Sequence, residues 1–149
     1  AILTFAVTDH QGLPVLVIGG IQGASSSTPH ERIRAATKSC YGLFPKRVLM
    51  EGLSLLARAT GISAIRAVSD RGHTYRSLRY RFKKKDVFLA SYDEFWQSLN
   101  AERVSPALWQ LPLVFSQKSM DEIPSKKRAE YHRRYELLEV IRQQFARFH

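Results

Sequence analysis

Leu3, Phe5 and Val7 alternate with Thr4, Ala6 and Thr8, a period of two that predicts a half-buried strand. Asp9-His10-Gln11-Gly12 follows with turn chemistry, Gly12 being able to take positive φ, so a hairpin leads into Leu13–Ile21. That second run is apolar on both faces, the pattern of a central strand. It passes through Gly19-Gly20 and Gln22-Gly23, opens into Ala24-Ser25-Ser26-Ser27, and enters a helix. Thr28 is the expected N-cap, Pro29 the first helical residue, and Glu31 the partner in a capping box. This helix is expected to run to about Tyr41 and to stop at Gly42. Pro45 opens the next one. Leu49, Leu53 and Leu56 follow helical spacing there, and Val48, Leu55 and Ala59 widen the stripe to the breadth of a helix that lies on a sheet; Gly61 ends it.

Ser63 to Ser69 reads as a further strand, and Val87-Phe88-Leu89 as a short one. Ser91 and Glu94 form a second capping box, opening a short helix through Leu99 that carries Tyr92, Phe95 and Trp96. Ala107 to Phe115 is expected to be one strand, interrupted by Pro112 and therefore near an edge. From about Ser125 to Phe148 a long helix closes the chain, with Tyr131, Tyr135, Leu138, Ile141 and Phe145 along one stripe. Hairpin, helices and strands in this order predict an α/β fold: a mixed, largely antiparallel sheet flanked by helices, with a long C-terminal helix. Residues 1–149 are expected to form a single domain, without internal repeats or a low-complexity tail.

Charge narrows the partners. Lys and Arg number 23 against 13 Asp and Glu, a formal charge of +10, which favours anionic partners such as nucleic acid, lipid headgroups or phosphorylated ligands. The one cysteine, Cys40, excludes an intrachain disulfide and sits inside a predicted helix, as a small packed residue in a reducing compartment would. No apolar run reaches the roughly 20 residues needed to span a bilayer. No signal peptide is visible, although the C-terminal part of a longer protein would not show one; the expected setting is the cytoplasm, with a position peripheral to the inner membrane as the alternative. The chain opens with Ala1 directly in strand-like sequence, so it is expected to be the C-terminal part of a longer protein, with the missing N-terminal portion as a partner.

Three segments carry candidate chemistry. The first is the join between the second strand and the first helix. Gln22, Gly23, Ala24, Ser25, Ser26, Ser27 and Thr28 place backbone N–H groups at a helix N-terminus, a cradle for a phosphate or carboxylate, with Arg32 and Lys46 as added positive charge. The same residues also make an ordinary strand-to-helix connection. The second is Arg71–Lys85, with seven basic residues, no acidic one, and Tyr75, Tyr80 and Phe82 interleaved. It fits a nucleic-acid surface, and equally a solvated loop and edge strand guarded by Lys83-Lys84-Lys85. The third is His73, after a strand and near Asp70 in sequence, which reads as an acid or base or as an exposed loop histidine; Tyr92 is the other acid or base candidate. Lys126-Lys127-Arg128 and Arg133-Arg134 offer a further anionic contact or a solvated helix face. The histidines show no metal-ligand spacing and no metal is expected. Neither a Gly-x-Ser-x-Gly elbow nor a P-loop is present.

Four motifs in order resemble the VirK/YbjX family of bacterial proteins. They are Ile18-Gly19-Gly20-Ile21-Gln22-Gly23; Ala36-Thr37-Lys38 with Tyr41-Gly42-Leu43-Phe44-Pro45-Lys46; Tyr92-Asp93-Glu94-Phe95-Trp96; and Lys126-Lys127-Arg128 with Arg133-Arg134-Tyr135. The resemblance covers nearly the whole chain. It implies a Gram-negative bacterial protein of about twice this length, with relatives linked to virulence and envelope-stress resistance, and it supplies no reaction. A weaker likeness is to the GNAT N-acyltransferase fold, where a hairpin's central strand also runs into a pyrophosphate-binding loop and a helix N-terminus. Gln22-Gly23-Ala24-Ser25-Ser26-Ser27 departs from that family's Gln/Arg-x-x-Gly-x-Gly/Ala loop by lacking its central glycine. The expected function is therefore acyltransferase-like, using a phosphate-bearing, CoA-type donor. The alternatives are a non-catalytic basic module for nucleic acid or anionic envelope lipid, and a scaffold half that works with the missing portion.

Overall fold

A computed structural model of the chain describes residues 1–25, 27–72 and 92–147. They form two compact units, one from Leu3–Ile21 and Gly61–Phe115, the other from Ala1–Ile2, Gln22–Thr60 and Ser116–His149.

The first unit is a five-stranded sheet. Its strands are β1 (Ile2–His10), β2 (Leu13–Gln22), β3 (Ala64–Val68), β4 (Glu102–Ser105) and β5 (Leu108–Leu111), in the order β1-β2-β3-β5-β4. β2 and β3 run parallel, whereas β5 is antiparallel to both β3 and β4. The expected hairpin forms: Gln11 and Gly12 take φ of 54° and 82°, the two positive values a primed two-residue turn requires, and Asp9 accepts the Gly12 N–H at 3.0 Å. β2 is an inner strand, as its two-sided apolar sequence predicts. The register puts Leu16, Ile18, Ile65, Ala67, Trp109 and Leu111 on one face of the sheet, and all are buried.

Pairing corrects one sequence expectation. Ala107–Phe115 is not a single edge strand. Its ordered part is the four-residue β5, an inner strand, and Pro112 lies just beyond the last paired residue, where its missing N–H breaks nothing. The edge belongs to β4, whose Glu-Arg-Val-Ser sequence carries too little apolar signal to be read. Helix α3 (Tyr92–Ser98) completes this unit, with a fully buried Trp96 donating its indole N–H to the Val68 carbonyl at 2.8 Å.

The second unit is helical: α1 (His30–Ser39), α2 (Pro45–Ala59), two single 3₁₀ turns at Met120–Glu122 and Ser125–Lys127, and α4 (Arg128–Ala146). α2 packs on both α1 and α4. Its buried seam is Met50, Leu53, Ser54 and Ala57, with Leu49 and Leu56 half-buried at its flanks, so the apolar stripe read from the sequence is rotated by about one residue. The long closing helix is present and is led in by a 3₁₀ turn. Between α1 and α2 the chain reverses through Tyr41 and Gly42 at φ of 53° and 87°. Arg134 of α4 locks this corner, donating from Nε to the Tyr41 carbonyl at 2.9 Å while its guanidinium lies 3.9 Å from the centre of the Tyr131 ring. Val87-Phe88-Leu89, expected as a strand, lies outside the described residues.

Two glycines give opposite expectations. A Cβ on Gly72 would sit 2.5 Å from the Ala107 carbonyl oxygen, where β3's exit crosses the β4–β5 turn, whereas one on Gly52 within α2 meets nothing within 4 Å. Gly72→Ala should therefore destabilise by about 1–3 kcal/mol. Gly52→Ala should stabilise by about 0.5–1 kcal/mol by removing backbone freedom from the unfolded chain. Thermal melts of the two variants against the parent check both signs.

Candidate anion-binding loop

Gln22 ends β2, and the chain then turns back on itself before α1. The Thr28 N–H bonds the Ser25 carbonyl at 2.9 Å. The Ser25 hydroxyl lies 2.6 Å from that of Ser27 and 3.3 Å from that of Thr28. Gln22, Gly23, Ala24, Ser25 and Ser27 are exposed and Thr28 is half-buried; Ser26 lies outside the described residues. The expected capping box does not form. Pro29, not Thr28, is the N-cap residue, α1 starts one residue later at His30, and no described side chain caps its first turn. Thr28 is drawn away because its hydroxyl faces Ser25 instead. The Arg32 N–H donates to the Pro29 carbonyl at 3.0 Å, and no described side chain caps the amides of His30 and Glu31.

Two cations accompany this loop. Arg32 is exposed in the first turn of α1, where Glu31 offsets part of its charge. Lys46, in the first turn of α2, reaches back across more than twenty residues: its Cε is 3.4 Å from the point where a side chain on Gly23 would begin. Burial pushes the Lys46 ammonium below the ordinary lysine range. No acidic residue occupies the first turn of α2. Gly23 and Lys46, expected to share a site, are neighbours.

Of the two expected acid or base residues, Tyr92 is described and His73 is not. His73 falls outside the described residues, as does Arg71–Lys85 beyond Arg71 and Gly72. Tyr92 belongs to the sheet unit and is a buried aromatic, its ring stacked 6.1 Å from that of Trp96. Its backbone N–H donates to Asp70 Oδ1 at 2.8 Å, so the carboxylate placed near His73 in sequence serves the start of α3.

The sequence did not single out Asp93 as a hub. Asp93 Oδ1 accepts the Trp109 indole N–H at 2.8 Å and the Asp70 backbone N–H at 3.1 Å, while Oδ2 pairs with Arg103 at 3.2 Å. Arg103 also lies 4.6 Å over the Trp109 ring. The available signal was an acidic residue in the first turn of a helix, too common a feature to reveal three donors from other segments. Arg66 of β3 was also unmarked; among the described residues its Nε is buried without a hydrogen-bond partner, in a row with Val17 and Gln110. No three His, Cys, Asp or Glu side chains among the described residues gather as metal ligands, and no described helix is long and apolar enough to cross a membrane.

The Asp93 site predicts an acid response. Burial pushes the Asp93 carboxyl up, but the Trp109 and Asp70 hydrogen bonds and the Arg103 charge outweigh it and hold the group below its ordinary 3.8. Its contribution to stability is therefore complete above that value and is lost as pH falls through the lower folded-state pKa. Asp93→Asn should be less stable than the parent by about 1–3 kcal/mol at pH 7. Urea titrations should show that difference shrinking as pH is lowered below 4; a constant difference would contradict the assignment.

Comparison with known proteins places the chain. The family model described as "Protein of unknown function (DUF535)" matches residues 1–147. The chain is 45% identical over 144 residues to the uncharacterized protein YbjX of Escherichia coli, covering 97% of this chain and 43% of that protein. An uncharacterized protein of Haemophilus influenzae is 35% identical over 127 residues, covering 85% of this chain and 41% of its own length. The chain thus spans less than half the length of these curated relatives. No solved structure matches it. The motifs, the full-length family match and the relationship to YbjX together make this chain a member of the DUF535, or VirK/YbjX, family of bacterial proteins.

Proposed function

We propose that residues 22–28, the start of α1 and Lys46 hold the phosphate-bearing part of an acyl donor of the CoA type, in an acyltransferase-like protein. The observation that carries this reading is the placement of Lys46 against Gly23. An ammonium in the first turn of α2 opposes that helix's dipole and is partly desolvated, both of which act against the fold. A bound phosphate offsets both effects by pairing the ammonium with an opposite charge. The loop and the N-terminus of α1, which no described side chain caps, supply backbone donors of the kind that bind phosphates. Within this reading Gln22 and Arg32 flank the donor. The setting we propose is the cytoplasm, at or near the inner membrane, in a role connected with virulence or envelope stress.

A second reading has one observation in its favour. α1 has no buried residue and exposes Arg32, Arg34 and Lys38 together. Such a surface fits the phosphates of nucleic acid or the headgroups of anionic lipid without any reaction. Binding of that kind falls steeply as salt rises, whereas a built phosphate cradle is less sensitive.

Calorimetric and thermal-shift titrations with acetyl-CoA, CoA and ATP test the donor reading. Saturable binding is expected for a CoA species, weakened about tenfold or more (~1.4 kcal/mol) by Lys46→Met and also weakened by Gln22→Ala. Absence of saturable binding to all three ends the donor reading. Binding of short nucleic acids or anionic vesicles that disappears between 50 and 200 mM salt would then favour the second, an interval over which about 10³-fold is lost for six phosphate contacts.

A further inference from the structure

The two edges of the sheet are built differently. β4 is four residues long, carries Glu102 and Arg103, and has a register irregularity between Arg103 and Ser105. Short length, charge and a bulge are the devices that keep an edge from pairing with another strand. β1 differs in length, and its one acidic residue, Asp9, sits at its far end beside the turn. The strand is nine residues long, and from Ile2 to Thr8 it contains neither a charge nor a proline. Apart from half-buried Leu3, every β1 residue is exposed, including Ile2 at 63%, Phe5 at 41% and Val7 at 57%. Among the described residues nothing pairs with its outer edge.

An exposed, long, apolar edge of this kind is a template for another strand. We propose that β1 is an inner strand in family-length proteins, its free edge paired by an extended, apolar, weakly charged segment from the part of those chains outside the matched region. Two observations choose that occupant over a second copy. More than half of each relative's length lies outside the match, so an intramolecular strand has a source. A formal charge of +10 makes two copies of this chain repel, while an intramolecular segment faces no such barrier. The incoming strand supplies main-chain hydrogen bonds to β1. Its alternate side chains cover Phe5 and Val7, which project to one face together with Leu3.

Amide hydrogen exchange tests this without a mutation. The segment aligned with β1 is followed in full-length Escherichia coli YbjX and in this 149-residue chain. In this chain the outward-facing half of the β1 amides should exchange fast. In the full-length relative the same amides should be slowed by about 100-fold or more, as for a paired inner strand, and the slowing should survive tenfold dilution. Equal exchange in the two proteins, fast or slow, overturns the proposal. Protection that fades on dilution also overturns it, because a second copy would then be the occupant.

Discussion

Asp93 accepts donors from three separate stretches of chain: the Asp70 backbone at the exit of β3, the Trp109 indole on β5, and the Arg103 guanidinium on β4. In return the Asp70 carboxylate takes the N–H of Tyr92, the residue before Asp93. This reciprocal pair of bonds fixes α3 to the exit of β3, while the Trp109 and Arg103 bonds hold the β4–β5 hairpin to the same point. Trp96, one turn further along α3, is then positioned to reach the Val68 carbonyl and to be buried completely. Removing the carboxylate would leave a buried indole N–H and a backbone amide without their acceptor, which costs more than one ordinary hydrogen bond contributes. The Gly72 close approach belongs to the same corner: Ser69 bonds the Pro106 and Ala107 carbonyls, and there is no space there for a methyl group.

The helical unit uses a comparable device with the opposite charge. Arg134 reaches the Tyr41 carbonyl at the reversal between α1 and α2, stacks on Tyr131, and pairs with Glu130 at 3.5 Å. A carbonyl next to two residues of positive φ has no helical donor available, so a guanidinium from another helix satisfies it. Gly42 matters at this position mainly for its backbone. It supplies the positive φ, and a Cβ there would meet Arg134 Nη2 at 2.5 Å.

Local chemistry explains what could be read from the sequence. The β1–β2 hairpin, β3 and the long last helix announce themselves through period, turn residues and glycines. What escaped depends on partners distant in sequence. β4 is a strand because β5 pairs with it, not because Glu102 to Ser105 favour one, and β5 became an inner strand through its pairing with β3. The capping box at Thr28 lost to a competing hydroxyl at Ser25, three residues away. Asp93 looked like an unremarkable helix-start carboxylate, since nothing near it in sequence indicated Trp109 or Arg103. The proximity of Lys46 to Gly23 was equally invisible; both residues were named as one site on their chemistry, and only the fold of α1 and α2 brings them together.

Three of the four motifs that mark the family meet one another, and the third in chain order serves its own corner. Tyr41-Gly42 and Arg133-Arg134-Tyr135 meet at the Arg134 lock, and Tyr92 to Trp96 closes the Asp93 corner. Stability alone is a sufficient reason for both. Gly23 and Lys46 join the first motif to the second at the polar loop after β2. A lysine opposes the dipole at the start of α2, burial penalises its charge, and its Cε lies beside Gly23 in a polar loop. Residues that act against local stability within an otherwise consistent fold are where function is to be sought. An anion at the loop amides would favour the charged ammonium beside it, which is why the proposed phosphate reading starts from this pair and not from the Arg134 or Asp93 corners.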